Sequence, residues 1–426
     1  MTAPRWTSWP RWLALACVLA PGCVDEEPPP APIGPQRVRV KLLLETVEGK
    51  DKAARDVALG RIEELGRSGL SPKDGTRLLR AAARIGRPDR SGLGARLVAA
   101  AAWHARGELL PIVAEVFPKL GDDARLQALN LLGVIGDRRA AEEQLALIRE
   151  YAPKGGVPGL GAAAWQARPR YADVFFPALF ELLDDPRLSA DVGSLTAAYL
   201  NAGRLRNEDL AAHLDRIERA VRECRAWFLA NEDRVDPSRS AQASALILLL
   251  GHIPGDRAEA ALRGMLDVPA PWVRNPALVE LIGRGDAVDS ASLEAIADDP
   301  EWRAWLFEML RKIGQSHRFP DRFANQVSLA ESELVSWLIE EAESGRPAGI
   351  VFERTDPAPA VQLGRPRVAY LFRFRKRDQA DWLRGWVVYP RADSLLTGGD
   401  AGSDFKPWGD PSPIRFGDGG EAGEDD

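Results

Sequence analysis

The residue best placed for chemistry near the start of the chain is Cys23, because of the residue types that precede it. Arg5 and Arg11 come before an apolar run of nine residues, 12–20, and small residues then lead to the cysteine. Nine residues are too few to cross a hydrocarbon core about 30 Å thick, but they suit the apolar region of a cleaved export signal. The sequence therefore predicts that residues 1–22 are a signal peptide and that the rest of the chain works outside the cytoplasm.

The segment LAPGC, which ends at Cys23, resembles the lipobox of bacterial lipoproteins. In that family the cysteine begins the mature protein and carries acyl chains, so the resemblance implies a lipidated Cys23 and membrane attachment. Ala20 stands where the family favours Leu and Pro21 is an uncommon neighbour, so an ordinary or uncleaved secretory signal is the alternative. Cys17 is a poorer candidate because only five apolar residues precede it. Val24 is not the Asp that favours inner-membrane retention, which points to the periplasmic side of the outer membrane.

A proline-rich segment follows the cysteine. Five prolines lie between Pro28 and Pro35, and proline removes backbone donors and favours an extended polyproline helix. A dozen such residues span roughly 35 Å. We therefore predict that residues 23–36 are a tether that holds the folded body away from the membrane.

The distribution of charge restricts the class of partner. The tail, residues 417–426, carries five carboxylates and no cation, which predicts a disordered acidic segment. Residues 28–416 carry no net charge, so they match nucleic acid poorly, since nucleic acid requires clustered basic surface. After removal of the signal and lipidation of Cys23, only Cys224 would remain as a thiol, so we expect no disulfide.

Repeated helical endings organise the body of the chain between residues 51 and 317. Each of five segments has an apolar helical pattern followed by Ile-Gly or Leu-Gly: 78–89, 128–148, 245–266, 277–287 and 306–314. Gly251, Gly283 and Gly314 are spaced by 32 and 31 residues, a period typical of helical solenoids. Because glycine adopts left-handed backbone conformations at little cost, we expect these glycines to end helices.

Other local patterns predict where helices begin and how far they run. Ser71, Asp236 and Asp299 each precede a proline, the arrangement of an N-cap followed by the first helical residue. The aromatic-rich segment 174–185 is predicted to form one longer helix. A further helix is predicted over 329–343.

Residues 122–148 resemble a HEAT repeat. The residues at the family's usual places are Arg125, Ala128, Leu129, Gly133 and Asp137. The resemblance implies a mostly α fold, a HEAT-like (armadillo-like) right-handed α-solenoid over residues 37–324, whose concave or edge surfaces bind other proteins. It is loose between residues 153 and 207. A tetratricopeptide array has a similar period, but its Trp and Tyr signature positions are absent.

One helix carries an unbroken apolar stripe. Its members are Leu210, Leu214, Ile217, Val221, Cys224 and Phe228. The steps of three and four predict a single helix buried in its own stack, with a coiled-coil partner as the alternative. Cys224 lies on this stripe, so we expect a small buried hydrophobe and not a reactive thiol.

The pattern changes to a period of two in the last quarter of the chain. Along 366–377 a period of two places Val368, Tyr370, Phe372 and Phe374 on one face, with Leu371, Arg373 and Arg375 opposite. A loop covers 376–381 and 382–390 is again apolar and aromatic, which predicts a β-hairpin. Residues 349–354 could add a third strand. We predict a small α+β module over 325–416 that caps the last repeat or serves as a recognition module of its own.

A compact basic cluster lies near the predicted hairpin tip. It consists of Arg373, Arg375, Lys376 and Arg377. Such a cluster could contact phosphate groups of anionic lipid or lipopolysaccharide. The alternative is a solvated hairpin end whose charges guard an edge strand against aggregation.

Three tryptophans are further candidates for an interaction surface. Trp302 and Trp305 lie three positions apart, as on one side of a helix, so they could be core or interface residues. If either were exposed beside Trp272, that patch would be the leading protein-binding surface.

The remaining residue types do not form a pattern for catalysis or metal binding. His104, His213, His252 and His317 are widely separated and lack metal-ligand spacing. Three aspartates in a glycine-containing segment, at positions 400, 404 and 410, do not match the ligand spacing of a calcium loop. We therefore predict no catalytic residue, no metal site and no cofactor.

The sequence thus predicts a lipid-anchored, non-enzymatic α-solenoid at the bacterial cell envelope that binds a protein partner and no nucleic acid. One alternative is a cytoplasmic HEAT-repeat adaptor or accessory of an enzyme. Another is a ligand-binding or enzymatic C-terminal module, with a deep pocket near Trp382, Trp386 and Tyr389. The predicted segments are 1–22, 23–36, 37–324, 325–416 and 417–426.

Overall fold

Several helices begin where a side chain accepts hydrogen bonds from backbone groups of the first turn. In the computed structural model Ser71 Oγ accepts from the backbone N–H of Asp74 at 3.2 Å, and Asp236 Oδ1 accepts from that of Ser238 at 2.9 Å. Pro72 and Pro237 follow as first helical residues, where a missing N–H costs nothing. These two predicted caps are confirmed.

The structure describes most of the chain from residue 40 onward. The described residues are 40–86, 92–155, 159–160, 171–232, 234–340, 342, 344–358, 366–377, 379–392, 394–410 and 414. Cys23, the tether and the acidic tail therefore lie outside them, as does most of the glycine-rich segment 155–161.

The described chain is mostly helical, with a small antiparallel sheet near the C-terminus. The α-helices are Val40–Val47, Lys52–Ser68, Pro72–Ile85, Leu93–Ala102, Leu110–Val116, Asp122–Ile135, Arg138–Tyr151, Ala172–Phe175, Ser189–Asn201, Asn207–Ala211, Leu214–Ala230, Pro237–His252, Asp256–Met265, Pro271–Gly283, Ser290–Asp298, Arg303–Lys312 and Gln326–Glu340. Short 3₁₀ helices are Gly107–Leu109, Phe117–Lys119, Ala152–Lys154, Ala178–Leu182, Ser316–Arg318 and Asp321–Phe323. Residues 40–277 form a first compact unit and residues 278–414 a second, and the division falls inside the Pro271–Gly283 helix.

Glycine ends only some of the repeated helices. At Gly86, Gly136 and Gly314 the φ angles are 64°, 59° and 70°, so these glycines follow their helices in the left-handed half of backbone space, as predicted. Gly251 instead precedes the last residue of its helix, and Gly283 is the last residue of its own. The positive φ then occurs at the next glycine along the chain in both cases.

Two other helix predictions need correction. Residues 174–185 are not one helix: the Ala172–Phe175 helix ends at Phe176, which is extended, and a 3₁₀ helix follows Pro177. Proline cannot donate a backbone hydrogen bond and its ring clashes with the preceding turn, so the helix cannot continue through it. The helix predicted to start at Pro300 begins at Arg303, because a hydrogen-bonded turn comes first.

The core of the first unit is built from close helix contacts. An added Cβ at Gly66 would lie 2.6 Å from Ala100 O, and one at Gly193 would lie 2.6 Å from Ala245 Cβ. Only glycine lets these helix backbones approach so closely. The predicted apolar stripe is buried along its whole length, but it belongs to two helices, since the chain turns after Leu210.

Cys224 behaves as a buried apolar residue. Its side chain is fully buried, and burial raises the pKa of its thiol to about 12. The thiolate, which is the reactive form, is therefore disfavoured.

Buried arginines close the ends of preceding helices in both units. In the first unit Arg125, 5% exposed, donates to the carbonyls of Phe117 and Pro118 at 3.1 and 2.8 Å. In the second unit Arg303, also 5% exposed, donates to Ala297 O at 2.7 Å. Such bonds satisfy the carbonyls that a helix end leaves without an intrahelical partner.

The sheet has four strands in the order β1, β2, β3, β4. They are Gly349–Ala358, Arg367–Arg375, Leu383–Pro390 and Asp400–Gly402. Neighbouring strands are antiparallel. The predicted hairpin and third strand are confirmed, β1 runs further than predicted, and β4 was not predicted.

Alternation along the strands separates the two faces of the sheet. Phe372 and Phe374 of β2 pack with Leu334 of the Gln326–Glu340 helix. Leu371 points to the opposite face and packs with Trp386 of β3. This separation decides which side chains can meet at the end of the hairpin.

Candidate functional site

The β2–β3 hairpin places cations and aromatic rings together at its end. Arg373 and Arg375 alternate onto the same face of β2, which ends at Arg375, and β3 begins at Leu383. The guanidinium carbons of Arg373 and Arg375 lie 4.9 and 5.6 Å from the ring centroid of Trp382. Cation–π attraction therefore fixes both side chains over one indole ring.

A carboxylate on β1 forms an ion pair with one of these two arginines. Arg373 Nε lies 2.7 Å from Glu353 Oε1 on β1. Among the residues that the structure describes, Arg375 makes no ion pair with a carboxylate. A guanidinium carries five N–H donors, whose planar arrangement suits a carboxylate or phosphate group.

Lys376 is held over a second ring on the other side of the hairpin. Its Nζ lies 4.2 Å from the ring centroid of Phe405, and that ring stacks on Trp337 at 6.2 Å with an angle of 26°. Phe405 is 38% exposed and has a φ of 51°, a region that bulky residues rarely adopt. Its N–H donates to Ser403 Oγ at 2.9 Å, which supports this backbone conformation.

We define the hairpin-end surface as Arg375, Lys376, Arg377, Trp382 and Phe405. Arg377 is exposed at the tip. Within the described residues, these three cations have no carboxylate partner.

Several other arginines of the second unit pair with carboxylates. Examples are Arg346 with Asp299, Arg354 with Asp356, Arg367 with Asp400, and Arg384 with Asp404. The hairpin-end surface instead holds three cations that make no ion pair within the described residues, beside exposed aromatic area. With Asp378 and Asp381 of the same loop, residues 375–382 carry a net charge of +1. Chemically, the surface can bind an anion that has an apolar neighbour.

A partly buried carboxylate positions the segment that carries Phe405. Glu333 on the Gln326–Glu340 helix accepts hydrogen bonds from Tyr389 Oη at 2.8 Å and from the backbone N–H groups of Gly398 and Gly399 at 2.5 and 2.7 Å. Burial raises the pKa of Glu333, although the three hydrogen bonds oppose that rise. Burial and the nearby carboxylate also raise the pKa of Tyr389, so its hydroxyl keeps its proton and donates.

The same helix holds the segment at a second point. Gln326 Nε2 donates to Leu396 O at 2.9 Å, and Gln326 Oε1 accepts from the backbone N–H of Leu396 at 2.8 Å. The connection from β3 to β4, and the residues that follow it, are therefore anchored to the helix. Neither Gln326 nor Glu333 stood out in the sequence, because no local pattern marks a contact across 70 and 56 positions.

The candidate tryptophans are mostly packed inside their own units. In the second unit Trp302 is 9% exposed, and its ring meets that of Trp305 edge-to-face at 5.6 Å. Trp305 is partly buried. In the first unit Trp272 is also partly buried. Trp103, which the sequence did not single out, is 58% exposed.

The residues expected around a C-terminal pocket lie on different sides of the sheet. Trp386 packs on one face with Leu371, and Tyr389 packs on the other with Phe372. Trp382 lies beneath the two arginines. These three side chains therefore do not converge on one cavity.

Two of the three aspartates considered for a calcium site pair with arginines. Asp400 pairs with Arg367 and Asp404 with Arg384, and the backbone carbonyl of Asp410 accepts from Arg384 at 3.1 Å. Across the described ranges, no three His, Cys, Asp or Glu side chains converge as ligands of one metal ion would.

The first unit contains a cavity of about 10 Å³. Its lining includes Leu70, Ala101, His104 and Leu109. This volume holds about one water molecule. The imidazole Nε2 of His104 lies 2.9 Å from Arg67 O, so this ring nitrogen already has a hydrogen-bond partner.

Of the helices in the described part of the chain, none is both long and apolar enough to cross a membrane. No protein-family model matches this chain, and no curated protein matches it at a significant level.

Proposed function

We propose that this protein is a lipid-anchored, non-enzymatic scaffold at the bacterial cell envelope that binds an acidic segment of a partner protein at the hairpin-end surface. One observation carries the proposal. Arg375, Lys376 and Arg377 have no carboxylate partner among the described residues, while aromatic rings hold the first two in place. A surface with pre-positioned cations loses less side-chain entropy when an anion binds.

The choice of an acidic protein segment follows from charge and exposure. Residues 28–416 are neutral overall, which disfavours a long polyanion such as nucleic acid. Phe405 offers exposed aromatic area next to Lys376. A peptide that alternates carboxylates with apolar side chains can use both features at once.

We further propose that the helical part is a HEAT-like solenoid that presents this surface. Consecutive short helices with Asp or Ser caps support that interpretation, as does the arginine that closes the preceding helix at Arg125 and again at Arg303. Arg125 is also one of the residues on which the HEAT resemblance rests.

The proposed attachment depends on Cys23, which lies outside the described residues. Its support is the apolar run, the small residues before the cysteine and the proline-rich tether after it. A doubly acylated cysteine would anchor the protein stably, whereas one chain gives only marginal binding.

The binding proposal is tested with the full chain in detergent and a fluorescein-labelled peptide of ten glutamates. We expect the triple variant R375A/K376A/R377A to bind the peptide at least ten-fold more weakly than the wild type at low salt. The matched control R311A/K312A/R322A removes the same charge from cations that already pair with carboxylates. The affinity of this control for the peptide should stay within about two-fold of the wild-type value, because the exposed ion pairs that it removes contribute little free energy.

Equal losses in the two triple variants would mean that only net charge matters and would contradict the proposed surface. Binding of anionic phospholipid vesicles or of single-stranded DNA in place of the peptide would assign the surface to a different class of partner. The attachment is tested by the mass of the mature N-terminal peptide from the membrane fraction. An acylated Cys23 supports the anchor, and an intact Met1 would favour the cytoplasmic adaptor instead.

A further inference from the structure

We infer that the acidic tail of this chain, residues 417–426, occupies the hairpin-end surface and competes with the acidic segment of the partner. The inference rests on the proposed function and adds regulation of the same surface. The tail lies outside the described residues; its composition, the point from which it departs and the charge of the surface support the inference.

The tail and the hairpin-end surface have complementary charge. The tail contains five carboxylates and no Lys or Arg: Asp418, Glu421, Glu424, Asp425 and Asp426. Three cations of the hairpin-end surface lack carboxylate partners among the described residues. Residues 375–382 keep a net charge of +1 after Asp378 and Asp381 are counted, and the tail, like the proposed partner, offers carboxylates to the three cations.

The C-terminal segment that leads to the tail lies next to the hairpin. The backbone N–H of Trp408 donates to Trp382 O at 2.7 Å, which brings the C-terminal segment to the hairpin end. Ile414, the last described residue, packs with Leu371 and Trp386 on one face of the sheet. By strand alternation, Arg375 lies on the same face as Leu371. The tail therefore leaves from the face that carries one of the unpaired cations.

Distance permits the contact. Leu371 and Arg375 are four residues apart on β2, or about 13 Å. The twelve residues from 415 to 426 can span up to about 40 Å when extended. A short connection of this kind gives an effective concentration in the millimolar range, so even weak ionic attraction fills the surface much of the time.

The experiment compares four forms of the full chain with the same ten-glutamate peptide at low salt. The tail variant D418N/E421Q/E424Q/D425N/D426N keeps the length of the tail and removes its charge. We expect it to bind the peptide at least five-fold more tightly than the wild type. Adding R375A/K376A/R377A to either form should remove most of the binding.

The two proposals fail in different ways. If the tail variant and the wild type bind the peptide equally well, the tail does not occupy the surface, and the proposed function stands. If the tail variant does not bind the peptide at all, the proposed function fails.

A second measurement detects the contact directly. A zero-length carbodiimide cross-link should join the amine of Lys376 to a carboxylate of residues 417–426, as read by mass spectrometry. K376R keeps the charge and should remove this product. In an equal mixture of ¹⁴N and ¹⁵N chains, isotopically pure products support contact within one chain. Mixed-isotope products, or no product at Lys376, would overturn the inference.

Discussion

Tyr389 on β3 donates its hydroxyl hydrogen to Glu333 on the Gln326–Glu340 helix at 2.8 Å, across 56 positions of sequence. The same carboxylate accepts the backbone N–H groups of Gly398 and Gly399. One partly buried side chain thus joins the helix, the sheet and the connection that leads to β4. This connection precedes Phe405 in the chain. A well-ordered connection therefore fixes the position of Phe405 in the hairpin-end surface.

We expect Glu333→Gln to loosen this connection. An amide has only one acceptor oxygen, and its NH₂ group would face backbone donors, so at least one hydrogen bond to a charged acceptor is lost. Such a bond contributes about 1.5–3 kcal/mol. Amide hydrogen exchange at Gly398 and Gly399 should therefore accelerate about ten- to hundred-fold.

Tyr389→Phe is the matched comparison, because it removes one donor and leaves both backbone bonds. It should accelerate exchange at these two glycines less than Glu333→Gln does. Unchanged exchange in both variants would contradict the proposed anchor.

Gly193→Ala should destabilise the first unit. The new methyl group would lie 2.6 Å from Ala245 Cβ, closer than real Cβ contacts, so the two helices must separate. Overpacking of this kind costs about 1–3 kcal/mol, which urea denaturation monitored by circular dichroism can measure.

Gly60→Ala provides the control for that change. Gly60 lies inside the Lys52–Ser68 helix, and nothing lies within 4 Å of an added Cβ. Alanine should stabilise that helix by up to about 1 kcal/mol through its higher helix propensity. If both substitutions shifted stability in the same direction, the close approach at Gly193 would not be a constraint.

Arg303→Met should destabilise the second unit by about 1–3 kcal/mol. Arg303 donates to Ala297 O at 2.7 Å and pairs with the partly exposed Glu331 at 2.7 Å, so its removal leaves a helix-end carbonyl and a partly buried carboxylate without their donor. Arg311→Met in the same helix removes an exposed cation that pairs with Glu308, and it should cost less than about 0.5 kcal/mol. Thermal denaturation of both variants tests this difference, which equal melting temperatures would refute.

Glu280 should make stability depend on pH. Burial raises its pKa to about 7, against an ordinary value near 4.5, while Arg284 partly opposes the rise. Between these two values the folded state binds more protons than the unfolded state, so stability falls as pH rises from about 4.5 to about 7. The full penalty, at most about 3 kcal/mol, is present above pH 7.

Glu280→Gln should therefore be stabilising at about pH 8 and nearly neutral at about pH 4, as measured by urea denaturation at both values. Glu294→Gln is the control, because this exposed carboxylate pairs with Arg322 and its removal makes the same charge change. A gain from Glu280→Gln that is the same at both pH values would argue against a buried, proton-binding carboxylate.

Patterns between close neighbours in the sequence determined much of the local structure. Ser71 and Asp236 cap helices because the groups they bond are two or three residues away. Phe372 and Phe374 share a face because strand geometry has a period of two. The basic cluster could be found in the same way, since its members are adjacent in the chain.

Tertiary structure decided which of these local tendencies prevailed. Gly251 and Gly283 have the same local pattern as Gly314 but lie within their helices, so the sequence alone did not place the helix ends. Long-range contacts also divided the basic cluster, because Glu353 pairs with Arg373 and leaves Lys376 to the ring of Phe405.

The physical reason is that a propensity acts through bonds to near neighbours, whereas burial, pairing and pKa depend on which distant groups the fold brings within a few ångströms. The sequence could therefore determine which residue types lie at the hairpin end. Only the tertiary structure decided that Arg375, Lys376 and Arg377 have no described carboxylate partner, that Phe405 stays exposed beside them, and that Glu333 fixes the segment before it.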